Sequence, residues 1–154
     1  MARLECEDRE FRSWFAIYPG RTIERSPDDV WQLYSLELGH GDRKLLFESD
    51  IKDDFSNDGY LLCRKPRDEI AMILSGLAGV LSGKRPQLDF ELSEPCFSIK
   101  VRYQDECGFN VEVFVDAGNV ETGISRWDAL GIRFFTTREN LEQFIKELKE
   151  DFAC

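Results

Sequence analysis

Two segments of the chain place apolar residues at helical spacing, three and four positions apart. In the segment from Pro66 to Ser82, the apolar stripe consists of Ile70, Ile73, Leu74, Leu77 and Leu81. Pro66 suits a first helical turn and Gly83 suits a helix end, so the pattern predicts a helix. Gly76 and Gly79 lie inside it, each at a cost of roughly 1 kcal/mol relative to alanine. We therefore expect this helix to pack closely against another element.

The second segment of this kind closes the chain. Its apolar stripe consists of Leu141, Phe144, Ile145, Leu148 and Phe152. Thr136 and Glu139 have the spacing of a capping box, which predicts the start of a helix. Because the opposite side is mostly charged, we expect a surface helix that lies on a sheet.

Between the two helices, apolar and polar residues alternate. The alternating segments are Gln87 to Ser93, Phe97 to Tyr103 and Phe109 to Val115, with a fourth strand candidate at Leu130 to Phe135. This period of two predicts antiparallel strands with one face in solvent. The outward residues are acidic, basic and acidic on the first three strands, which favours cross-strand ion pairs. Asp105 to Gly108 is the predicted hairpin turn.

The N-terminal third also contains strand-like segments. Ala2 to Cys6 alternates, and Phe11 to Tyr18 is rich in aromatic residues before the Pro19-Gly20 turn signal. We expect a first hairpin around Asp8 to Glu10. Arg21 to Asp29 is polar and contains a proline, so it is predicted to be a loop.

A second hairpin is predicted from the strand candidates Val30 to Leu38 and Lys44 to Ser49, joined by the glycine-containing turn Gly39 to Asp42. His40, the single histidine of the chain, lies in this turn. Catalysis by His40 would need a nucleophile or a carboxylate brought close by the fold, whereas a solvated turn histidine needs nothing. We therefore interpret His40 as solvated, and an enzyme that uses it ranks third among the functions considered.

Composition and length indicate a globular chain with one core. The 154 residues are 42% hydrophobic and include 12 Phe and 3 Trp, which fits one domain with a sizeable core. We predict a single α+β domain over residues 1–154, in which an antiparallel, strongly twisted sheet carries the two helices on one face.

The charge of the chain is strongly acidic. Its 20 basic and 30 acidic residues give a formal net charge of −10, a field that repels nucleic acid and anionic membranes. One interpretation of this charge is solubility. The other is that it steers a basic protein partner.

The cysteine and targeting patterns are those of a cytosolic protein. The chain has five cysteines, an odd number, at Cys6, Cys63, Cys96, Cys107 and Cys154. None has the two-residue spacing of metal and redox motifs, so we expect reduced thiols and no zinc site. No apolar run follows Met1, and the run from Ile70 to Leu81 is shorter than the about 20 residues that cross a bilayer.

One acidic segment imitates a calcium-binding loop. Counted from Asp54, the residues that fit its spacing are Asp54, Ser56, Asp58, Gly59 and Leu61. The twelfth position is Lys65, a cation where the loop needs a bidentate glutamate. We therefore predict no metal site; the segment from Asp50 to Asp58 is an exposed acidic loop or a docking surface for a basic partner.

Residues 66 to 152 show a characteristic order of helix, strands and helix. The apolar helix ends in Leu77-Ala78-Gly79-Val80-Leu81-Ser82-Gly83, a strand pair is joined across Glu94-Pro95, and Phe134-Phe135-Thr136-Thr137 leads into the terminal helix. This arrangement resembles the WapI-type immunity proteins. The resemblance implies a small cytosolic bacterial protein that protects the cell from a polymorphic toxin and has no active site.

The predicted function is therefore that of a non-enzymatic binding protein without a cofactor, whose partner is a basic protein such as a toxin domain. The residues predicted to contact it are Asp50, Asp53, Asp54, Asp58 and Trp127. Trp14 and Trp31 are the other interface candidates, although tryptophans in a domain of this size lie more often in the core. The alternative is a small regulatory or ligand-binding module with a cavity between helix and sheet.

Overall fold

Five strands of the N-terminal half form one antiparallel sheet, sheet A. The structure, a computed structural model, describes residues 1–6, 8, 10, 12–48, 61–92, 96–122 and 128–152. The strands are β1 (Ala2–Glu5), β2 (Ser13–Ser26), β3 (Asp29–His40), β4 (Arg43–Phe47) and β5 (Leu62–Arg64). Their order is β1-β2-β3-β4, and β5 pairs with the first residues of β3. Both hairpins predicted in the N-terminal third are confirmed.

The connection between β2 and β3 differs from the prediction. Pro19-Gly20 is not a turn, and Arg21 to Asp29 is not a loop, because β2 continues to Ser26 and turns back at Pro27 and Asp28. The register shifts between Pro19 and Thr22, so the proline lies at an irregularity where a missing N–H is tolerated. We call the outer part of this hairpin, residues 19–32, the arm.

Four strands of the C-terminal half form a second antiparallel sheet, sheet B. They are β6 (Gln87–Glu91), β7 (Phe97–Asp105), β8 (Gly108–Val115) and β9 (Leu130–Thr136), in that order. The predicted cross-strand ion pairs form: Lys100 Nζ lies 2.7 Å from Asp89, and Arg133 Nε lies 3.4 Å from Glu112. Lys100 and Glu112 are register neighbours, so one row of alternating charge crosses all four strands on the solvent face.

Three helices complete the fold: α1 (Pro66–Leu81), α2 (Ala117–Thr122) and α3 (Arg138–Asp151). Helix α1 packs on β6 and β7, α3 packs on β1, and the two long helices pack on each other. The α+β class with antiparallel strands is confirmed. The strands divide between two sheets where the sequence suggested one, and the short α2 was not predicted.

The start of α3 lies one residue beyond the predicted capping box. The N-cap is Thr137, whose hydroxyl accepts a hydrogen bond from the Asn140 N–H at 3.2 Å. Thr136 is instead the last residue of β9, and its hydroxyl donates to the Glu5 carbonyl at 2.7 Å. The prediction that Thr136 caps the helix is wrong because this hydroxyl is used in joining β9 to β1.

Both sheets and both long helices share one hydrophobic core. Phe15 of sheet A lies 5.6 Å from Phe97 of sheet B and 6.2 Å from Phe144 of α3, measured between ring centroids. Tyr34 packs on Phe97 at 6.0 Å. The inward residues of the predicted alternation supply this core, so the period of two is a correct guide to burial here.

Side chains of α3 cover the edge of sheet A at β1. The Arg3 N–H donates to the Glu147 carboxylate at 3.0 Å, and the Glu5 carbonyl accepts from the Asn140 amide at 3.1 Å as well as from Thr136. These bonds satisfy backbone groups that an edge strand leaves open to pairing with other chains.

Candidate partner-binding surfaces

None of the five residues predicted to bind a partner belongs to the described ranges. Asp50, Asp53, Asp54, Asp58 and Trp127 all lie outside the residues that the structure describes, as does most of the calcium-like segment. Their role stays a prediction.

The other two tryptophans lie on the outer side of sheet A, which faces away from the core. Trp31 is half-buried on the arm, and its indole N–H donates to Asp29 at 2.9 Å. Trp14 is only 9% exposed although no helix among the described residues packs on this face. Its burial comes from the side chains around it.

Trp14 is the centre of what we call the outer-face network: Arg3, Trp14, Tyr18, Glu37 and Lys44. The indole N–H of Trp14 donates to Glu37 Oε1 at 2.7 Å. Lys44 Nζ lies 3.4 Å from Glu37 Oε2, and the Arg3 guanidinium lies 4.7 Å from the Trp14 ring centroid. The network therefore joins side chains from all four strands of the main path of sheet A.

Tyr18 is part of this network through Glu37. Its pKa is raised above 10.0, chiefly by burial and then by the negative charge of Glu37, to which the hydroxyl also hydrogen-bonds. A partly dehydrated site that holds a carboxylate favours the neutral phenol. The same environment makes the Glu37 carboxylate a strong acceptor for any donor that reaches it.

Gly39 explains how the Trp14 ring can lie so close to the sheet. A Cβ on Gly39 would lie 2.0 Å from ring atoms of Trp14. Sheet B contains a similar stack, in which Phe114 lies over Gly131 and the Arg133 guanidinium lies 5.8 Å from the ring centroid. An aromatic ring thus packs over a strand glycine in both sheets. Sheet A differs because its ring, that of Trp14, also bonds a buried carboxylate.

A cleft of about 690 Å³ lies between the arm and the ends of the two long helices. Four carboxylates and two cations line it: Glu24, Asp28, Asp68, Asp151, Lys65 and Arg67. Asp151 pairs with the N-terminal amine at 2.5 Å. Within the described ranges, Glu24, Asp28 and Asp68 form no ion pair. The cleft is polar and open, unlike an enclosed apolar ligand site.

Lys65 stands at the rim of this cleft in an unusual backbone conformation. Its φ of 50° and ψ of 58° are left-handed, and it precedes Pro66 at the start of α1. No side chain caps this helix end, and the Lys65 N–H donates to the Val30 carbonyl at 2.9 Å. The strained residue thereby joins the arm to the helix.

His40 is exposed at the end of β3, and its Nδ1 lies 2.8 Å from the Ser13 hydroxyl. Ser13 is 6% exposed, so substrate has little access to this hydroxyl. No carboxylate among the described residues bonds the imidazole, which leaves the pair without the group that orients the base in catalytic triads.

Other chemistry in the described residues is limited. Cys6, Cys96 and Cys107 are present as thiols. Within the described ranges, no group of three or more His, Cys, Asp or Glu side chains is placed to hold a metal ion. None of the helices in the same ranges has the length and apolar character needed to span a membrane.

Comparison with known proteins gives one match. The model of the Immunity protein WapI-like family matches residues 56–153, which is more than half of the chain. No curated protein and no solved structure matches. The matched segment contains β5, the helices and all of sheet B. The protein therefore belongs to the WapI-like immunity protein family.

Proposed function

We propose that the protein is an immunity protein of bacterial cytoplasm, which neutralises a cognate toxin by binding it and catalyses no reaction. Its membership of the WapI-like immunity family carries this proposal. The His40 site supports it as well, because the hydroxyl that bonds the imidazole within the described residues, that of Ser13, is buried.

The proposed partner is a basic toxin domain that the acidic surface attracts. The net charge of −10 supports this, since complementary charge accelerates encounter. Within the described residues, the cleft contributes carboxylates at Glu24, Asp28 and Asp68. The predicted contacts at Asp50, Asp53, Asp54, Asp58 and Trp127 belong to the same proposal.

The test is co-expression in a bacterial host with each toxin domain encoded beside the gene, scored as colony formation and followed by pull-down. One toxin should stop growth alone and be tolerated with the protein. Absence of rescue and of a complex for every toxic neighbour would refute the proposal.

A charge-matched pair of variants tests the acidic loop separately. Replacing Asp50, Asp53, Asp54 and Asp58 by asparagine should weaken rescue. The control replaces four exposed glutamates outside that loop by glutamine: Glu91, Glu106, Glu121 and Glu150. Equal loss in both variants would mean that net charge matters and the loop does not.

The ligand-binding alternative gains limited support from the cleft. Its volume is within the range of about 300 to 1,000 Å³ that small-molecule sites occupy. However, the walls are charged and the cleft is open, so we favour a protein partner.

A further inference from the structure

The outer-face network contains a buried carboxylate, Glu37, that bonds the Trp14 indole and the Tyr18 hydroxyl but has only a loose cationic partner. The Glu37 side chain is 10% exposed. The Trp14 indole N–H donates to Glu37 Oε1 at 2.7 Å, which is a short hydrogen bond. Oε2 is approached by the Lys44 ammonium only at 3.4 Å, which is longer than the about 2.7 to 2.9 Å of a strong charge-assisted hydrogen bond.

Lys44 is poorly fixed in this position. Its side chain is 62% exposed on the edge strand β4, and ion pairs of exposed lysines contribute little because water screens them. Lys44 can therefore swing into solvent at small cost. Glu37 stays in place, because Trp14 and the sheet hold it.

We propose that Glu37 is the acceptor for an arginine side chain of the partner, and that Lys44 occupies this position in the free protein. The inference rests on the proposed function, which supplies a basic partner. A guanidinium suits the site better than an ammonium, because its planar fork of donors bonds two acceptors at once, and the Tyr18 oxygen lies within hydrogen-bond distance of the Glu37 carboxylate. Exclusion of water by the partner then strengthens the pair.

Glu37 lies outside the segment that the family model matches. The outer-face network lies entirely within residues 3–44, before the segment 56–153 that the family model matches. The matched segment supplies the scaffold, and sheet A supplies this contact. Arginine recognition by Glu37 is thus a property of this chain that the family model does not carry.

A probe titration tests the inference without the toxin. The Trp14 indole N–H reports on Glu37 because it is bonded to that carboxylate, and its NMR resonance is assigned with Trp14→Phe. N-acetyl-arginine-N-methylamide is titrated into the labelled full-length protein, and the neutral isostere N-acetyl-citrulline-N-methylamide is the control. We expect a saturable shift of the indole resonance with the arginine compound alone.

Three variants separate the contact from general acidity. Glu37→Gln keeps an oxygen for Trp14 but should abolish the shift. Glu112→Gln removes an ion-paired glutamate from the solvent face of sheet B and should leave it unchanged. Lys44→Met removes the competitor and should tighten binding by up to about fivefold, the upper limit for an exposed ion pair.

Several results would overturn the inference. They are an equal shift with the citrulline compound, a shift that persists in Glu37→Gln, or binding that is unchanged or weaker in Lys44→Met. The spectrum of each variant shows whether it is folded. Because the titration contains no toxin, its failure leaves growth rescue unaffected, and failure of growth rescue leaves the titration result intact.

Discussion

Substitution of the two glycines inside α1 should have effects of opposite sign. In a helix interior, alanine is favoured over glycine by roughly 1 kcal/mol, so propensity alone makes both substitutions stabilising. The surroundings differ. A Cβ at Gly76 would lie 2.4 Å from the Leu88 Cδ1 of β6, whereas a Cβ at Gly79 would lie 3.1 Å from the Arg85 Cδ.

The size of each stability change depends on whether the neighbouring side chain can move away from the added Cβ. Leu88 is 5% exposed in the shared core, and overpacking a core costs typically about 1 to 3 kcal/mol. Gly76→Ala should therefore destabilise the protein by about 1 kcal/mol after the propensity gain. Arg85 is exposed and can move, so Gly79→Ala should stabilise the protein by about 0.5 to 1 kcal/mol.

Thermal and urea unfolding followed by circular dichroism measure both effects. A difference of 1 kcal/mol corresponds to about 2 to 4 °C in Tm for a domain of this size. The double variant Gly76→Ala/Leu88→Ala should lose less stability than the sum of its two single substitutions, because the shortened side chain removes the clash. If Gly76→Ala stabilises the protein as much as Gly79→Ala does, the result contradicts the close contact between Gly76 of α1 and Leu88 of β6.

Three further predictions concern single side chains. Lys65→Gly should raise the free energy of unfolding by about 0.5 to 1 kcal/mol, because glycine adopts the left-handed conformation without strain; an unchanged urea midpoint would contradict this. Thr137→Ala should cost about 1 kcal/mol by removing the bond to the Asn140 N–H, while Thr137→Ser should be nearly neutral in the same assay. The pKa of Tyr18 is raised in the folded state by burial and Glu37, so its contribution to stability is complete below pH 10.0 and is lost as the pH rises through the folded pKa. As the pH rises above 10.0, the Tyr18→Phe variant should therefore lose less stability than the native protein does, measured by urea unfolding.

The elements with one solvent face could be predicted well from the sequence. In β7 and β8, apolar residues alternate with polar ones because one face packs on the core, so the period is visible. The α1 boundaries follow from Pro66 and from Gly83, which has the positive φ expected after a helix end. These features depend only on local burial and on the backbone preferences of proline and glycine.

The arm could not be predicted because both of its faces are largely in solvent. From Gly20 to Asp28 most residues are exposed, so no alternation marks the strand, and Pro19-Gly20 imitates a turn. The division of the strands into two sheets could not be predicted from the alternation either. Period two is identical in both sheets and carries no information about which strands are paired.

The outer-face network could not be predicted, because it depends on the pairing register of β2 and β3, which the sequence does not reveal. Glu37 and Trp14 are 23 residues apart, and they meet because Trp14 pairs with Gly39, two positions from Glu37 on the same face of β3. The available clue was a glutamate within the predicted strand Val30 to Leu38, on the face away from the core. The acidic loop and Trp127 remain predictions because they lie outside the described residues.

The most direct measurement of the central claim is a calorimetric titration of the protein with the toxin domain that it rescues in co-expression. The account predicts a one-to-one complex whose affinity falls as salt concentration rises, because a basic partner meets a surface with a net charge of −10. It also predicts weaker binding by Glu37→Gln than by Glu112→Gln. Rescue of growth without any complex in the titration, or with a complex insensitive to salt, would contradict neutralisation through an acidic surface.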